Sequence, residues 1–209
     1  MYTLYYSPGA CSMAIHAALA ETGAAYKLVR AELHGAQKDA ALLKVNPRHQ
    51  VPVLDDDGTI IREGAAILIH LLEKEKSPLL PSSGAARAAA LEWLCWGNAT
   101  LHPKYSLGFG YKRISDDTGV QEAVAKFACA NIQKSWDDAE AHLGSSKYLA
   151  GDQPTIADIL MCVIANWNGK MPHPIKLGPN VLRVIRDVSA RPGFQKALAE
   201  EQVDYKAAA

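Results

Sequence analysis

Cys11 is the residue whose type and setting point most directly to chemistry. It follows the break Ser7-Pro8-Gly9-Ala10 and precedes an apolar pattern of helical period. A thiol at a helix start meets unpaired N–H groups and the positive end of the helix dipole. Both favour thiolate over thiol, and thiolate is the reactive form. The residues that follow are Ser12, Met13 and Ala14, so no Cys-x-x-Cys pair exists and a local dithiol cycle is closed. Three readings stay open: a mixed disulfide with a small thiol, a hydrogen bond donated to a bound sulfur, or a buried cysteine with no chemical role. Cys95, Cys129 and Cys162 fall inside helical patterns, where free cysteine behaves as a small hydrophobe. The sequence has no tight Cys/His cluster, so no metal site is expected.

Four further positions carry polar chemistry or unusual backbone. Val51-Pro52 stands where a loop meets a strand. A cis bond there would turn the Val51 N–H and C=O outward, free to pair with an extended peptide. Most X–Pro bonds are trans, so the pattern alone favours an edge-strand proline. Glu63-Gly64 opens an apolar helical run, where a carboxylate and free N–H groups could hold an ammonium and a carboxylate; a routine helix start fits equally well. His102 shares a stripe with Leu91, Leu94, Cys95 and Asn98. It is either a hydrogen-bonded structural histidine or a donor or base aimed at a cleft. Thr155-Ile156-Ala157-Asp158 has the spacing of a capping box before the apolar positions Ile159, Leu160, Val163 and Ile164. It reads as the cap of a buried helix rather than as catalysis, and Thr155→Ala should cost about 1 kcal/mol or more.

The elements that must position these residues divide into two kinds. Residues 2–6 read as a strand, and Ile15, Ala18, Leu19 and Thr22 as a helix ended by Gly23. Residues 26–33 read as a second strand and 37–45 as a second helix, stopped at Asn46-Pro47. Residues 51–54 and 59–61 flank the turn Asp55-Asp56-Asp57-Gly58 as an antiparallel hairpin, and 63–75 form a helix. The order β-α-β-α-β-β-α is that of a thioredoxin-like domain. Beyond the Pro/Ser/Gly-rich stretch 77–84 only helical patterns occur: 85–101, 120–143, 155–167, 180–187 and 193–200. The expected organisation is an α/β thioredoxin-like domain over 1–78, a linker over 79–84 and an all-α helical bundle over 85–209.

Composition bounds the function class. The 209 residues are 49% hydrophobic, and 22 Lys plus Arg balance 22 Asp plus Glu. That balance gives no basic excess for nucleic acid. No apolar run approaches the roughly 20 residues of a membrane span, and the N-terminal stretch lacks the pattern of a signal peptide, so a cytoplasmic location is expected.

Taken together, these segments resemble the bacterial beta-class glutathione transferases. Tyr5-Tyr6-Ser7-Pro8-Gly9-Ala10-Cys11-Ser12 matches that family's opening and its active-site cysteine. Asn46-Pro47-Arg48-His49-Gln50-Val51-Pro52-Val53-Leu54 resembles its cis-proline segment, and Arg62-Glu63-Gly64-Ala65-Ala66-Ile67 its γ-glutamyl-binding segment. Glu92-Trp93-Leu94 with Leu101-His102 and Tyr105 resembles the helix that lends a histidine to the site. Thr155-Ile156-Ala157-Asp158 and Arg191-Pro192 fit the wider superfamily. The resemblance implies an enzyme that conjugates glutathione to small hydrophobic electrophiles, as in detoxification. It implies a homodimer, with glutathione as co-substrate. Cys11 and His102 would be catalytic; Gln50, Val51, cis-Pro52, Glu63, Gly64 and Lys38 would hold the tripeptide. Tyr105 and Trp167 would face the electrophile. Competing readings are glutathione-dependent thiol–disulfide exchange or peroxidase chemistry at Cys11, and a non-catalytic ligand-binding protein on the same fold. The chain departs from the resembling pattern at His49, where glycine is usual, and at Cys95, Ala99 and Thr100, which align with Asn, Ser and Glu.

Overall fold

The computed structural model describes residues 1–33 and 38–208. Burial alternates along β1 (Tyr2–Tyr6), with Tyr2, Leu4 and Tyr6 facing the core. It pairs in parallel with β2 (Tyr26–Arg30) and antiparallel with β3 (Val53–Asp56), which continues into β4 (Thr59–Arg62). The strand order is β2-β1-β3-β4. Parallel pairing of β1 and β2 requires a crossover, supplied by α1 (Ser12–Thr22), which ends at Gly23 with φ +70. α2 (Ala40–Val45) is capped by Asp39, whose carboxylate accepts from the Leu42 N–H at 2.9 Å. The expected start of this helix at Gln37 lies outside the described residues. α3 (Gly64–Lys74) follows β4.

The second half is helical: α4 (Gly84–Cys95), α5 (His102–Gly110), α6 (Thr118–Leu143), α7 (Ile156–Ala165), α8 (Pro179–Ser189) and α9 (Pro192–Glu201). α7 is buried throughout. The Asp158 carboxylate accepts from the Thr155 N–H at 2.8 Å, the Thr155 hydroxyl at 3.0 Å and the Leu149 N–H at 2.9 Å. The structural reading of that motif therefore has its geometry.

Two features differ from the periodicity. The pattern over 85–101 reads as one helix, but the chain widens into a π-helical turn over Trp96–Leu101 before tightening into α5. Pro103, lacking an N–H, interrupts the ladder there. The wide turn also seats Gly97 against Leu160, where a Cβ would lie 2.9 Å from Leu160 Cδ2. Cys95, Ala99 and Thr100, on and beside this turn, are exposed. The second difference is α1, which is buried from Ser12 to Leu19 on every side rather than along one stripe. The sheet covers one face, and α7 and α9 cover others. α9 approaches closely because Gly193 has no side chain: a Cβ there would meet the Glu21 N at 2.7 Å. Glu21 instead accepts from the Gly193 N–H at 2.9 Å and pairs with Arg191.

Candidate functional site

A cleft of about 760 Å³ opens between the sheet-containing half and the helical half. Cys11 stands on its wall, at the head of α1. The loop before it is held from both sides. The Ser12 hydroxyl, fully buried, accepts from the Ser7 N–H and donates to the Ser7 carbonyl, both at 3.2 Å. Gly9 takes φ +66, a conformation that favours glycine. Its N–H donates to Glu201 Oε2 at 2.9 Å, and its carbonyl accepts from Trp167 Nε1 at 2.8 Å. Both anchors belong to the helical half.

Glu201 extends this grip into the core. Its other oxygen lies 2.9 Å from His16 Nδ1, and His16 Nε2 lies 2.8 Å from Glu200 Oε2. The side chains of His16 and Glu201 are fully buried. The Cys11 loop is thus tied to the far end of the chain through a buried polar chain.

Cys11 Sγ lies 3.9 Å from the Val51 carbonyl. Burial pushes its thiol up to about 11, outweighing the neighbouring Ser12 and Cys11 N–H groups that lower it. The helix start is present as the sequence suggests, but loss of water around the sulfur dominates, and at neutral pH Cys11 is a thiol and a donor. His102 lines the opposite wall, with its ring 4.9 Å from that of Trp167. Burial holds it below the usual histidine range, so it is neutral at neutral pH. Its ring makes no hydrogen bond among the described residues, so it is directed at the cleft rather than satisfied structurally.

The sheet side of the cleft is formed by Gln50, Val51, Pro52, Glu63 and Gly64. The Val51–Pro52 peptide is cis, as the family resemblance implies. The Val51 N–H has no partner among the described residues. The Asn46 amide donates to the Gln50 carbonyl at 2.8 Å and steadies this segment. His49 takes φ 55, which explains why glycine suits this place. Its ring nitrogen accepts from the Asp39 N–H at 2.8 Å, a contact glycine could not make. Glu63 has φ 70 at the head of α3, and its carboxylate pairs with Arg48 at 2.9 Å.

The structure therefore brings Cys11, His102, Gln50, Val51, Pro52, Glu63 and Gly64 to one cleft. Lys38 is exposed and is not among the residues lining it. Tyr105 is fully buried, donating to Asn168 and accepting from Trp136 Nε1 at 2.7 Å; it supports Trp167 from behind. Trp167 does line the cleft. Sequence reasoning set Asn98 on the His102 stripe without giving it a role and missed Ser106, Phe109 and Arg113; all four line the cleft with His102. Their spacing is helical, and following it past Pro103 would have revealed this face. Arg48 and Lys170 were also missed. Among the described residues, no group of His, Cys, Asp or Glu is arranged to hold a metal.

Comparison with known proteins agrees with this geometry. Residues 1–73 match the family model described as glutathione S-transferase, N-terminal domain. Residues 110–201 match glutathione S-transferase, C-terminal domain. Glutathione S-transferase 3 of Zea mays is 32% identical over 209 residues, covering 95% of this chain and 92% of the relative. A solved glutathione S-transferase from Xylella fastidiosa superposes with a TM-score of 0.89 at 27% identity, covering 98% of this chain and 100% of the other. A sphingomonad glutathione S-transferase complexed with glutathione gives a TM-score of 0.84 at 26% identity, covering 97% and 100%.

Proposed function

The chain belongs to the glutathione S-transferase family, and we propose that its cleft holds glutathione along the sheet side and presents its sulfur to a small hydrophobic electrophile. The observation that carries this reading is the convergence of a protonated Cys11, a neutral and unpartnered His102 and the unpaired Val51 N–H on one cavity. The residues present suit the tripeptide. Its cysteinyl backbone pairs with Val51 as an added strand would. Its γ-glutamyl ammonium meets Glu63, and its α-carboxylate meets the Gly64 N–H at the head of α3. Asn98 reaches the same place: its Oδ1 would lie 3.0 Å from a Cβ on Gly64. Gln50 and Arg48 face the rest of the peptide.

Cys11 donates a hydrogen bond to the glutathione sulfur, and the free N–H groups of α1 favour negative charge there. His102 is placed to accept the thiol proton. The resulting thiolate attacks the electrophilic carbon, a C–S bond forms, and the leaving group departs with the bonding pair. Holding the two reactants side by side converts a bimolecular encounter into an effectively unimolecular step. The electrophile rests on Phe109 and Trp167. In this reading Cys11, on the cleft wall 3.9 Å from the Val51 carbonyl, positions the sulfur, and a mixed disulfide is the competing role that the glutathione-soaked structure distinguishes.

The proposal assigns 1–78 to the glutathione side, 79–84 to a linker and 85–209 to the electrophile side. Lys38, exposed and outside the cleft lining, supplies a long-range cation for the tripeptide's glycine carboxylate. A cytoplasmic homodimer is part of the same reading, supported by the family resemblance; light scattering at twice the 22.5 kDa chain mass tests the dimer. The activity test is conjugation of glutathione to 1-chloro-2,4-dinitrobenzene. Wild type should turn over, Cys11→Ala should keep part of the rate with a raised KM for glutathione, and His102→Ala should lose kcat. Absence of conjugation by wild type at saturating glutathione overturns the reading.

A further inference from the structure

The helical wall of the cleft carries a charge pattern that the reaction as described does not use. Phe109 and Trp167 meet edge-on with ring centroids 6.0 Å apart and planes inclined at 64°, and both line the cleft. One helical turn beyond Phe109 stands Arg113; one 3-10 turn beyond Trp167 stands Lys170, whose N–H donates to the Trp167 carbonyl at 2.9 Å. Both cations line the same cavity. Neither has an ion-pair partner within 4.0 Å among the described residues. On the sheet side the arrangement is the reverse: Arg48 is neutralised by Glu63 at 2.9 Å.

Gly110 lacks a side chain where a Cβ would come within 3.1 Å of Arg113 Nη2, so the guanidinium folds back over the end of α5. Cations on the rim of an aromatic-walled cleft concentrate anions and orient them. Resting on the transferase reading, we propose that the electrophile is an aromatic or conjugated acid, its ring against Phe109 and Trp167 and its carboxylate or sulfonate held by Arg113 and Lys170. The anionic group then points away from Cys11 and His102, which leaves the reactive carbon facing the glutathione sulfur.

The test compares two nearly isosteric aryl halides, 4-chloro-3-nitrobenzoate and 4-chloro-3-nitrobenzamide. Each kcat/KM is divided by the rate of the same halide with glutathione alone, which removes the difference in intrinsic reactivity. At low ionic strength wild type should favour the benzoate. Exposed ion pairs of this kind are each worth a few-fold, so the double variant R113Q/K170Q should lower the preference roughly ten-fold. Its benzamide rate and its KM for glutathione should be unchanged. Added salt should erode the wild-type preference in the same direction. A wild type that converts both halides without preference overturns this inference and leaves the transferase reading standing. So does a preference that survives the double variant, or a double variant whose main defect is a raised KM for glutathione. A wild type that conjugates 1-chloro-2,4-dinitrobenzene but converts neither of these halides overturns this inference alone, and one that conjugates none of the three overturns both.

Discussion

Replacing Glu201 should show how far the active-site loop depends on the last helix. The side chain is fully buried and makes two contacts, with the Gly9 N–H at 2.9 Å and His16 Nδ1 at 2.9 Å. A hydrogen bond to a charged group contributes about 1.5–3 kcal/mol, and each buried polar group left without its partner costs about 1–3 kcal/mol. Glu201→Ala leaves both the Gly9 N–H and His16 without that carboxylate, so a loss of about 3–5 kcal/mol is expected. Glu201→Gln keeps the volume and one acceptor for Gly9, and should cost about 1–2 kcal/mol. Urea unfolding followed by tryptophan fluorescence, at one protein concentration for all variants, reads the difference as a shift in midpoint at constant slope. The KM for glutathione should rise in the Ala variant and recover in the Gln variant, since the loop before Cys11 regains its anchor. An Ala variant within 1 kcal/mol of wild type, on the order of a surface substitution, would refute the reasoning. It would mean that Glu201 frays into solvent with the end of α9.

Three other outcomes follow from the same geometry. Thr155→Ala should cost about 1 kcal/mol through loss of the cap, and Asp158→Ala more, since its carboxylate serves two backbone N–H groups; thermal or urea unfolding measures both. The Asp56 carboxyl is held below the usual carboxylate range by Lys74 first and then His70. Its contribution to stability is therefore complete above the unfolded carboxylate range near pH 4 and is lost as pH falls through the lowered folded value; Asp56→Asn should flatten that part of the stability–pH curve. Alkylation of Cys11 by iodoacetamide, read by peptide mass analysis, should be slow at pH 7 and rise until about pH 11, where its thiol ionises. A plateau already reached at pH 7 would show that the helix start dominates after all.

What the sequence made legible was local. The Thr155–Asp158 cap is a three-residue signal, and its bonds close within one turn. The strand at 2–6 alternates, and Gly23 ends α1 in the left-handed conformation glycine favours. Cys11, Val51 and Glu63 each stand beside a strand end or helix start, so their convergence follows from the order of elements. What stayed hidden depends on distance along the chain or on solvent. His16 reads as an ordinary polar position on α1, because its partners Glu200 and Glu201 are 184 and 185 residues away. The ionisation of Cys11 is set by desolvation, which helix position does not reveal. The π turn at Trp96–Leu101 arises from packing of Gly97 on Leu160 and from Pro103, and a 3.6-residue period carries no trace of it. Asn98 faces the cleft with His102, whereas Cys95 is exposed.

The central claim is that glutathione lies beside Cys11 without bonding to it. A crystal structure of the protein soaked with reduced glutathione tests this most directly. The account expects the tripeptide backbone paired with Val51, its γ-glutamyl end at Glu63 and Gly64, and its sulfur within hydrogen-bonding distance of Cys11 Sγ. A disulfide bond between Cys11 and glutathione, or a tripeptide bound away from Val51, would contradict it.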